Sequence, residues 1–296
     1  MDVAVVTVAY RSAPLYGEWL RALQRAWEEV EDLDRGQLRL ILVDNSCDVS
    51  AATALRSIAP DIHLILPDGN RGFAAGCNLG LDHVPEGFDI ILLNPDVRVA
   101  SDFFLELARL EVPTDVAAVG PCVLGHDGKL EQSARRFPDW RTALAGRTSF
   151  LARAFPRSRA VRQQLLARPD GGARDVDWIS GACMIISADR FERVGEFDIG
   201  YFMYWEDADW CYRASLLGLR VRYEPSLVVL HAQGSSSAST PTRASYHFHR
   251  SAFRYCRLHL FGGSRLAFAA LLLSARFLLT TTARSAHRVK ARSSRW

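Results

Sequence analysis

Three acidic residues stand at the start of a predicted helix in the stretch MYWEDADWCYR, and they are candidates for acid–base chemistry. Carboxylates in a first helical turn favourably oppose the helix dipole, and Asp209 has a possible partner in Arg213 one turn on, so Glu206, Asp207 and Asp209 have an ordinary structural explanation. Their setting favours a second interpretation. Residues 202–205 are apolar or aromatic, and such surroundings raise the pKa of a carboxylate and make it a better base.

A candidate site for a divalent cation follows the apolar run IILL. Asp96, in the tripeptide Asn94-Pro95-Asp96, would project from a strand end, and a carboxylate there suits Mg²⁺ or Mn²⁺, which bind through one or two carboxylates plus substrate phosphates. His231 ends another predicted strand before a serine-rich loop, and it could close the site. The structural alternatives are that Asn-Pro-Asp only forms a turn and that His231 has a structural role without binding a metal.

A glycine-rich segment, GNRGFAAGCNLG, puts Gly72, Gly76 and Gly80 on one helical face. Glycines four apart allow a helix to pack closely on a sheet. The same helix would also present free N–H groups at its amino end, beside Arg71, to a diphosphate. Its glycine spacing differs from that of the dinucleotide-binding fingerprint.

The elements that must position these residues alternate along the chain. Short β-branched runs at 3–8, 38–43, 62–66 and 89–93 alternate with helical patterns at 15–30, 51–58 and from about Phe73. This alternation predicts an α/β fold, a Rossmann-like parallel sheet with helices on both faces. Ligands bind such sheets beyond the carboxyl ends of the strands, where Tyr10, Arg11, Asp44, Asn70, Arg71, Asn94 and Asp96 would lie.

Charge divides the chain into two unequal parts. Of 36 Lys+Arg and 33 Asp+Glu, no acid follows Glu224, so residues 225–296 carry 11 basic residues and no acidic one. A basic end indicates an anionic surface, either nucleic acid or membrane headgroups. Residues 232–245 are typical of a mobile loop, and 266–283 carry a single charge, Arg276. Because a central arginine is costly in a bilayer, we expect this helix to lie in the membrane interface.

Between these parts, residues 126–175 form a basic region with ten Arg from Arg135 to Arg174. We interpret it as loops and short helices over the sheet, either an anion-binding surface or a solvated face. The overall composition, 49% hydrophobic and 23% charged, is that of an ordinary globular protein. The six cysteines show no metal or redox spacing and the N-terminus shows no signal-peptide pattern, so we expect reduced thiols and a cytoplasmic protein.

The ordered series TVAYR, VDNS, GNRGFAAGCNLG, LLNPDV, WISGACMIISADRF, FMYWEDADWCYR and VLHAQG resembles the inverting family 2 glycosyltransferases of GT-A fold, and among them the bacterial rhamnosyltransferase-like and galactofuranosyltransferase-like members. The similarity extends from about Val3 to about His231. Each motif alone is weak, and their order carries the resemblance. One departure is that Asn94 stands where the family's metal motif has its first acid.

The resemblance implies a role for each matching residue. Asp207 would be the catalytic base; Asp96 and His231 would bind Mg²⁺ or Mn²⁺. The nucleotide sugar would be bound by Tyr10, Arg11, Asp44, Asn70, Arg71 and Asn94. The acceptor would lie near Trp178, Gly181 and Glu206.

It also implies an activity and an organisation. The expected reaction moves a sugar onto a cell-envelope glycan or lipid-linked saccharide, and the first expectation for the donor is dTDP-rhamnose, which carries L-rhamnose. The alternatives are a UDP-sugar donor such as UDP-galactofuranose or UDP-galactose, a nucleotidyltransferase, or a non-catalytic nucleotide-sugar-binding protein.

Residues 1–125 would hold the donor, and 126–232 the acceptor and catalytic groups of the same domain. Residues 233–296 would form a loop and basic amphipathic helices on the inner face of the plasma membrane. Nucleic acid is disfavoured because the basic residues surround an apolar helix rather than stacking aromatics. A homo-oligomer remains open.

Overall fold

The computed structural model describes residues 1–30, 36–138, 172–231 and 241–277, except 268 and 276. Its strands are β1 (Val3–Ala9), β2 (Leu38–Asp44), β3 (His63–Ile65), β4 (Asp89–Leu93), β5 (Val97–Val99), β6 (Val116–Gly125), β7 (Ala134–Arg135), β8 (Arg174–Val176), β9 (Trp178–Ile179), β10 (Cys183–Ile186) and β11 (Arg220–His231). Its helices are α1 (Tyr16–Glu28), α2 (Val49–Ile58), α3 (Phe73–Leu81), α4 (Phe103–Arg109), α5 (Ala188–Val194), α6 (Glu206–Leu216), α7 (Pro241–Tyr255) and α8 (263–277).

A nine-stranded mixed sheet forms the centre of the molecule. Its strand order is β3-β2-β1-β4-β10-β6-β11-β5, with β8 pairing on β11. The pairings of β1, β2, β3 and β4 are parallel, β10 is antiparallel to both β4 and β6, and β11 is parallel to β6. Six strands therefore point the same way, and the sheet is mostly parallel, as the alternating pattern predicts.

Helices cover both faces of the sheet because its central strands are apolar on both sides. On one face Trp19 of α1 and Phe103 of α4 are fully buried in one core cluster. On the other face Cys77 of α3 and Trp210 of α6 belong to a second cluster. The result is three layers, with the carboxyl ends of β1, β2, β3, β4 and β11 on one edge.

Two boundaries differ from those expected. The sequence predicts separate strands at 220–223 and 227–230, but both belong to one strand, β11, whose register against β6 shifts between Glu224 and Val228. Pro225 interrupts the hydrogen-bonding pattern there, and a bulge absorbs the interruption. The expected loop at 232–245 is also too long, because helix α7 already begins at Pro241.

The C-terminal helices are docked on the body of the protein. Helix α7 continues into a π-helical turn (Cys256–Leu260), and Tyr255 and Cys256 are buried. Helix α8 returns along α7, so that Phe277 contacts the rings of Tyr246 and His249. In the described part of the chain, no helix has the length and apolar character needed to cross a bilayer.

Most of the basic region at 139–171, and residues 278–296, lie outside the described residues.

Candidate active site

Asp207 lies in the first turn of α6, and backbone hydrogen bonds orient its carboxylate. Its Oδ2 atom accepts a hydrogen bond from the Gly181 amide at 2.9 Å, and its Oδ1 atom accepts one from the Ala208 amide at 2.8 Å. The side chain is partly exposed. Burial raises the pKa of Asp207, and the two amides and Arg135 partly oppose the rise. The carboxylate is therefore held in one direction and strengthened as a base.

The backbone immediately before this helix is strained. Tyr204 and Trp205 have φ angles of 69° and 73°, a left-handed region that side-chain-bearing residues seldom adopt. Two consecutive residues of this kind persist only where surrounding contacts enforce them, and they concentrate at functional sites. This turn sets the direction in which α6 starts, and with it the direction of Asp207.

The two acids beside Asp207 have different environments. Glu206 is only 5% exposed, and its Oε2 atom has no hydrogen-bond partner among the described residues. Burial, and then the nearby Asp207 charge, raise the pKa of Glu206 well above its usual range. For Asp209, burial acts in the same direction, but hydrogen bonds from His259 and Arg213 outweigh it and lower the pKa.

The expectation that apolar surroundings raise the pKa of all three acids is therefore wrong for Asp209. Arg213 Nε donates to Asp209 at 2.9 Å, which confirms the predicted one-turn pair, and His259 lies 2.7 Å away on the π-helical turn. Asp209 is thus a structural anchor between α6 and the C-terminal helices.

The two predicted metal ligands face each other at the carboxyl edge of the sheet. His231 ends β11 and pairs with Val97 of β5, so its ring comes near the turn formed by Asn94-Pro95-Asp96. His231 Nε2 lies 3.5 Å from Asp96 Oδ2, and Nδ1 lies 2.9 Å from Glu131 Oε2. Hydrogen bonds to these carboxylates, led by Asp96, raise the pKa of His231 to about 9.

These residues fit a divalent cation. The Asp96 carboxylate and the imidazole Nε2 atom face each other, so both could bind one ion. Glu131 pairs with the other ring nitrogen, as carboxylates commonly do with metal-bound histidines. Among the described residues no cluster of three protein ligands forms. Two protein ligands match a Mg²⁺ or Mn²⁺ ion that takes its remaining oxygens from a diphosphate and water.

Short backbone links join the base to this pair. Gly181, which donates to Asp207, precedes Ala182, whose carbonyl accepts a hydrogen bond from the Asn94 amide at 2.9 Å. A Cβ atom on Gly181 would stand 3.6 Å from Asp207 Cβ. Since β10 runs antiparallel to β4, its start and the end of β4 meet at the same edge. The base and the cation pair therefore lie along one edge of the sheet.

The glycine-rich segment is attached to this edge through its own groups. Asn70 Oδ1 accepts from the Gly72 amide at 2.9 Å, the Gly72 carbonyl accepts from Asn45 Nδ2 at 3.0 Å, and the Phe73 amide donates to the Phe202 carbonyl at 2.7 Å. The chain itself thus occupies two of the amides that we expected a diphosphate to use. Arg71 remains accessible, with a 55% exposed side chain paired to Asp68.

The remaining donor-side predictions fall at the expected strand ends. The exposed Arg11 guanidinium lies over the Tyr10 ring at 5.3 Å. Asp44 is fully buried, where it accepts hydrogen bonds from Ser46 and faces the Tyr16 hydroxyl, whose pKa burial and Asp44 raise. The predicted contact of Asp44 with a base or ribose stays a prediction, because its carboxylate has no exposed surface.

Trp178, predicted near the acceptor, lies on β9 beside Arg135 of β7. The Arg135 guanidinium stacks 5.1 Å from the Trp178 ring, and Trp178 Nε1 donates to the Arg136 carbonyl at 3.0 Å. Arg135 also acts electrostatically on Asp207. The small β7–β9 sheet therefore places a cation and an aromatic plane next to the base.

Comparisons with known proteins identify the family of this chain. Residues 1–245 match the family model described as glycosyltransferase like family 2. The chain is a family 2 glycosyltransferase. It is 28% identical over 262 residues to N-acetylglucosaminyl-diphospho-decaprenol L-rhamnosyltransferase of Mycobacterium tuberculosis, covering 84% of this chain and 82% of the relative. It is 28% identical over 195 residues to rhamnosyltransferase WbbL of Escherichia coli K12, covering 63% and 70%.

Solved structures support the GT-A fold of this glycosyltransferase. The mannosyltransferase PcManGT from Pyrobaculum calidifontis, in complex with GDP-Man and Mn²⁺, superposes with a TM-score of 0.54 at 17% identity, over 99% of this chain and 79% of that one. Staphylococcus aureus TarS 1-349 gives 0.51 at 13% identity, over 94% and 71%. At these identities the likeness concerns the fold alone.

Three contributors to the glycosyltransferase site were missed in the sequence: Glu131 behind His231, Arg135 beside Asp207, and the strained Tyr204–Trp205 turn. Arg135 was only one of ten arginines in a basic region, so nothing distinguished it. Glu131 lies 100 residues from His231. No local pattern relates residues that far apart.

Proposed function

We propose that this enzyme is a metal-dependent inverting glycosyltransferase in which Asp207 is the base. The observation that carries the proposal is that two groups lie along one edge of the sheet. One is the Asp207 carboxylate, oriented by two backbone amides. The other is the Asp96–His231 pair, whose second ring nitrogen contacts Glu131. A base for the acceptor and a site for an anionic leaving group are the two requirements of sugar transfer from a nucleotide.

The base acts on the acceptor because a sugar hydroxyl is a poor nucleophile. Asp207 Oδ2 or Oδ1 takes the hydroxyl proton as the hydroxyl oxygen attacks the anomeric carbon from the face opposite the diphosphate, which inverts the configuration. The partial exposure of Asp207 leaves it open to a substrate, whereas Glu206 is buried. Trp178 then borders the acceptor. Glu206, only 5% exposed, lies beneath the base and would influence the acceptor through Asp207 rather than by direct contact.

On the donor side, Asp96 and His231 would hold a Mg²⁺ or Mn²⁺ ion, which supplies positive charge to the leaving nucleoside diphosphate. The accessible Arg71 guanidinium adds a cation with bidentate hydrogen-bonding capacity for the same group. Because Asn94 carries no charge, the protein contributes one carboxylate to the ion rather than two.

The proposed donor is dTDP-L-rhamnose and the proposed acceptor a lipid-linked or cell-envelope saccharide. Both come from the names of relatives, which include two rhamnosyltransferases and a dTDP-rhamnosyl transferase, RfbF of Shigella flexneri. A UDP-sugar donor is the first alternative. A nucleotidyltransferase is the second, and the glycine-free stretch TVAYRSAPL, which begins at the end of β1, disfavours it.

The decisive experiment replaces the base. Asp207→Asn should lower transfer by about 10²–10⁴-fold, the range for losing a general base, while donor binding measured by thermal shift with Mn²⁺ stays near the wild-type value. A panel of nucleotide sugars identifies the donor first. Asp115→Asn, which alters an exposed acid paired with Arg220 at the opposite edge of the sheet, is the control. Equal loss of donor binding and turnover in Asp207→Asn would contradict the assigned role.

A further inference from the structure

Helix α7 contacts residues 202–205, the segment that contains the strained Tyr204–Trp205 turn. Each of these four residues has a partner on that helix. His247 stacks on Phe202 at 4.3 Å, and Ser251 Oγ donates to the Met203 carbonyl at 2.9 Å. Phe248 packs 5.8 Å from the Tyr204 ring and 5.9 Å from the Trp205 ring, and Tyr255 packs 5.1 Å from Trp205.

These partners lie on one stripe of α7. Positions 247, 248, 251 and 255 recur at helical spacing, so they face the same side. Ser251 is 3% exposed, His247 is 8% exposed and Tyr255 is fully buried. Phe248 and residues 202–205 are partly exposed, so the stripe and the turn form a half-buried interface, whereas Tyr246 and Arg250 lie on the exposed side of α7.

The turn itself connects both halves of the site. Its Phe202 carbonyl accepts from the Phe73 amide at the start of α3, and a Cβ atom on Gly72 would stand 2.3 Å from that carbonyl. At its other end, Trp205 leads directly into Glu206 and Asp207. A shift of this turn would move the base relative to the glycine-rich segment that we assign to the donor.

The left-handed conformation of Tyr204 and Trp205 is intrinsically unfavourable, so external contacts must maintain it. Helix α7 supplies such contacts, among them the hydrogen bond from Ser251 to the Met203 carbonyl, just before the two strained residues.

We propose that helix α7 is a positioning element of the active site: the stripe of His247, Phe248, Ser251 and Tyr255 maintains the left-handed Tyr204–Trp205 turn and thereby aims Asp207. The inference rests on the proposed role of Asp207. It assigns to the C-terminal segment a part in catalysis that is separate from any binding to a surface.

The test removes the contacts singly. Phe248→Ala, and the milder Ser251→Ala, should lower kcat about tenfold, with donor KM within about twofold. This is the factor expected when the two left-handed residues relax and Asp207 moves out of its reactive position. Tyr246→Ala is the matched control, because it deletes an aromatic ring from the exposed side of α7. It should leave kcat and KM unchanged.

A rescue variant separates positioning from simple packing. Glycine adopts positive φ without steric cost, so Tyr204→Gly in the Phe248→Ala background should restore the turn and recover at least about threefold in kcat, although the protein gains no contact. If α7 only contributed packing, the added glycine would lower stability and activity further, and that result would overturn the proposal.

Hydrogen exchange gives a readout that does not depend on turnover. Amides of residues 203–208 should exchange faster in Phe248→Ala and Ser251→Ala than in wild type, and slow again in the Tyr204→Gly double variant. Unchanged exchange and unchanged kcat in both single variants would refute the role of α7. If the wild type transferred no sugar while the variants still showed the expected changes in hydrogen exchange, only the proposed function would be contradicted.

Discussion

At the scale of single residues, exposure decides which acid can act. Glu206 and Asp207 are neighbours in the first turn of one helix, yet Glu206 faces inward and has an oxygen without a hydrogen-bond partner among the described residues, while Asp207 is oriented by Gly181 and partly open. Asp209, two residues on, is buried with His259 and Arg213. Three carboxylates within four positions therefore have three different environments.

Arg135 should set the lower pH limit of activity. Its positive charge lowers the pKa of Asp207, against the rise caused by burial. In Arg135→Gln this pKa rises further, so the base stays protonated up to a higher pH, and the acidic limb of the kcat/KM profile moves to higher pH. Arg135→Lys keeps the charge and should leave the limb in place. An unmoved limb in Arg135→Gln would show that Asp207 does not control it.

Asp96 and His231 should determine the affinity for metal. Asp96→Asn removes the only carboxylate we assign to the ion, and Mn²⁺ affinity measured by calorimetry with a nucleoside diphosphate should fall by about tenfold or more. Asp127→Asn, at a nearby acid paired with Lys129, is the control and should bind Mn²⁺ normally. Full activity of the wild type in EDTA would remove both ligands from the mechanism.

At the scale of elements, helix α3 shows how a glycine pattern serves packing. A Cβ atom at Gly76 would stand 2.7 Å from Val8 Cγ1, and one at Gly80 would stand 2.5 Å from Val6 Cγ1. The glycines thus let α3 lie directly on β1, which confirms the packing interpretation of the motif. Its second interpretation, an open amino end for diphosphate, stays a prediction, and Asn70 and Phe202 already engage two of the amides it would use.

Gly80→Ala should destabilise the fold. The added methyl must displace Val6 in a closed interface, and such overpacking costs about 1–3 kcal/mol in the free energy of unfolding, measured with denaturant. Gly69→Ala is the control, since nothing lies within 4 Å of a Cβ atom there, and its effect should stay within about 0.5 kcal/mol. Equal stability of the two variants would contradict the close packing of α3.

At the scale of the whole molecule, the basic C-terminal part is not a simple appendage. Helix α7 is buried against the catalytic body, Arg254 pairs with Asp198 at 2.6 Å, and His259 reaches Asp209. Other arginines, Arg250, Arg257 and Arg265, are exposed. We therefore place the proposed membrane-binding surface on α8 and the basic residues after it, with α7 belonging to the enzyme.

A chain ending at Gly262 tests this division. It loses seven of the eleven basic residues after Glu224 and keeps α7, so binding to vesicles containing anionic phospholipid should fall to the level of neutral vesicles, measured by co-sedimentation. Its far-ultraviolet circular dichroism and donor binding should stay close to wild type. A chain ending before Pro241 should instead lose stability, because Tyr255 and Cys256 leave the core. Undiminished vesicle binding by the chain ending at Gly262 would refute the membrane surface.

The order and bounds of most elements follow from local sequence, because hydrophobic periodicity, glycine and proline act over a few neighbouring residues. The strand Asp89–Leu93, the helices from Phe73 and Glu206, and the strand ends with polar side chains follow from it. The single strand β11 and the early start of α7 did not, since Pro225 and a polar stretch imitate breaks that packing overrides.

The distant residues that complete the candidate site are brought together by tertiary contacts. Glu131 reaches His231, the strained Tyr204–Trp205 turn meets α7, and Asp209 turns away to His259. Each depends on contacts between residues about 40 to 100 positions apart. Such contacts form because the burial of apolar surface packs distant helices and strands together. The spacing of residues within one element does not indicate which other element it will pack against.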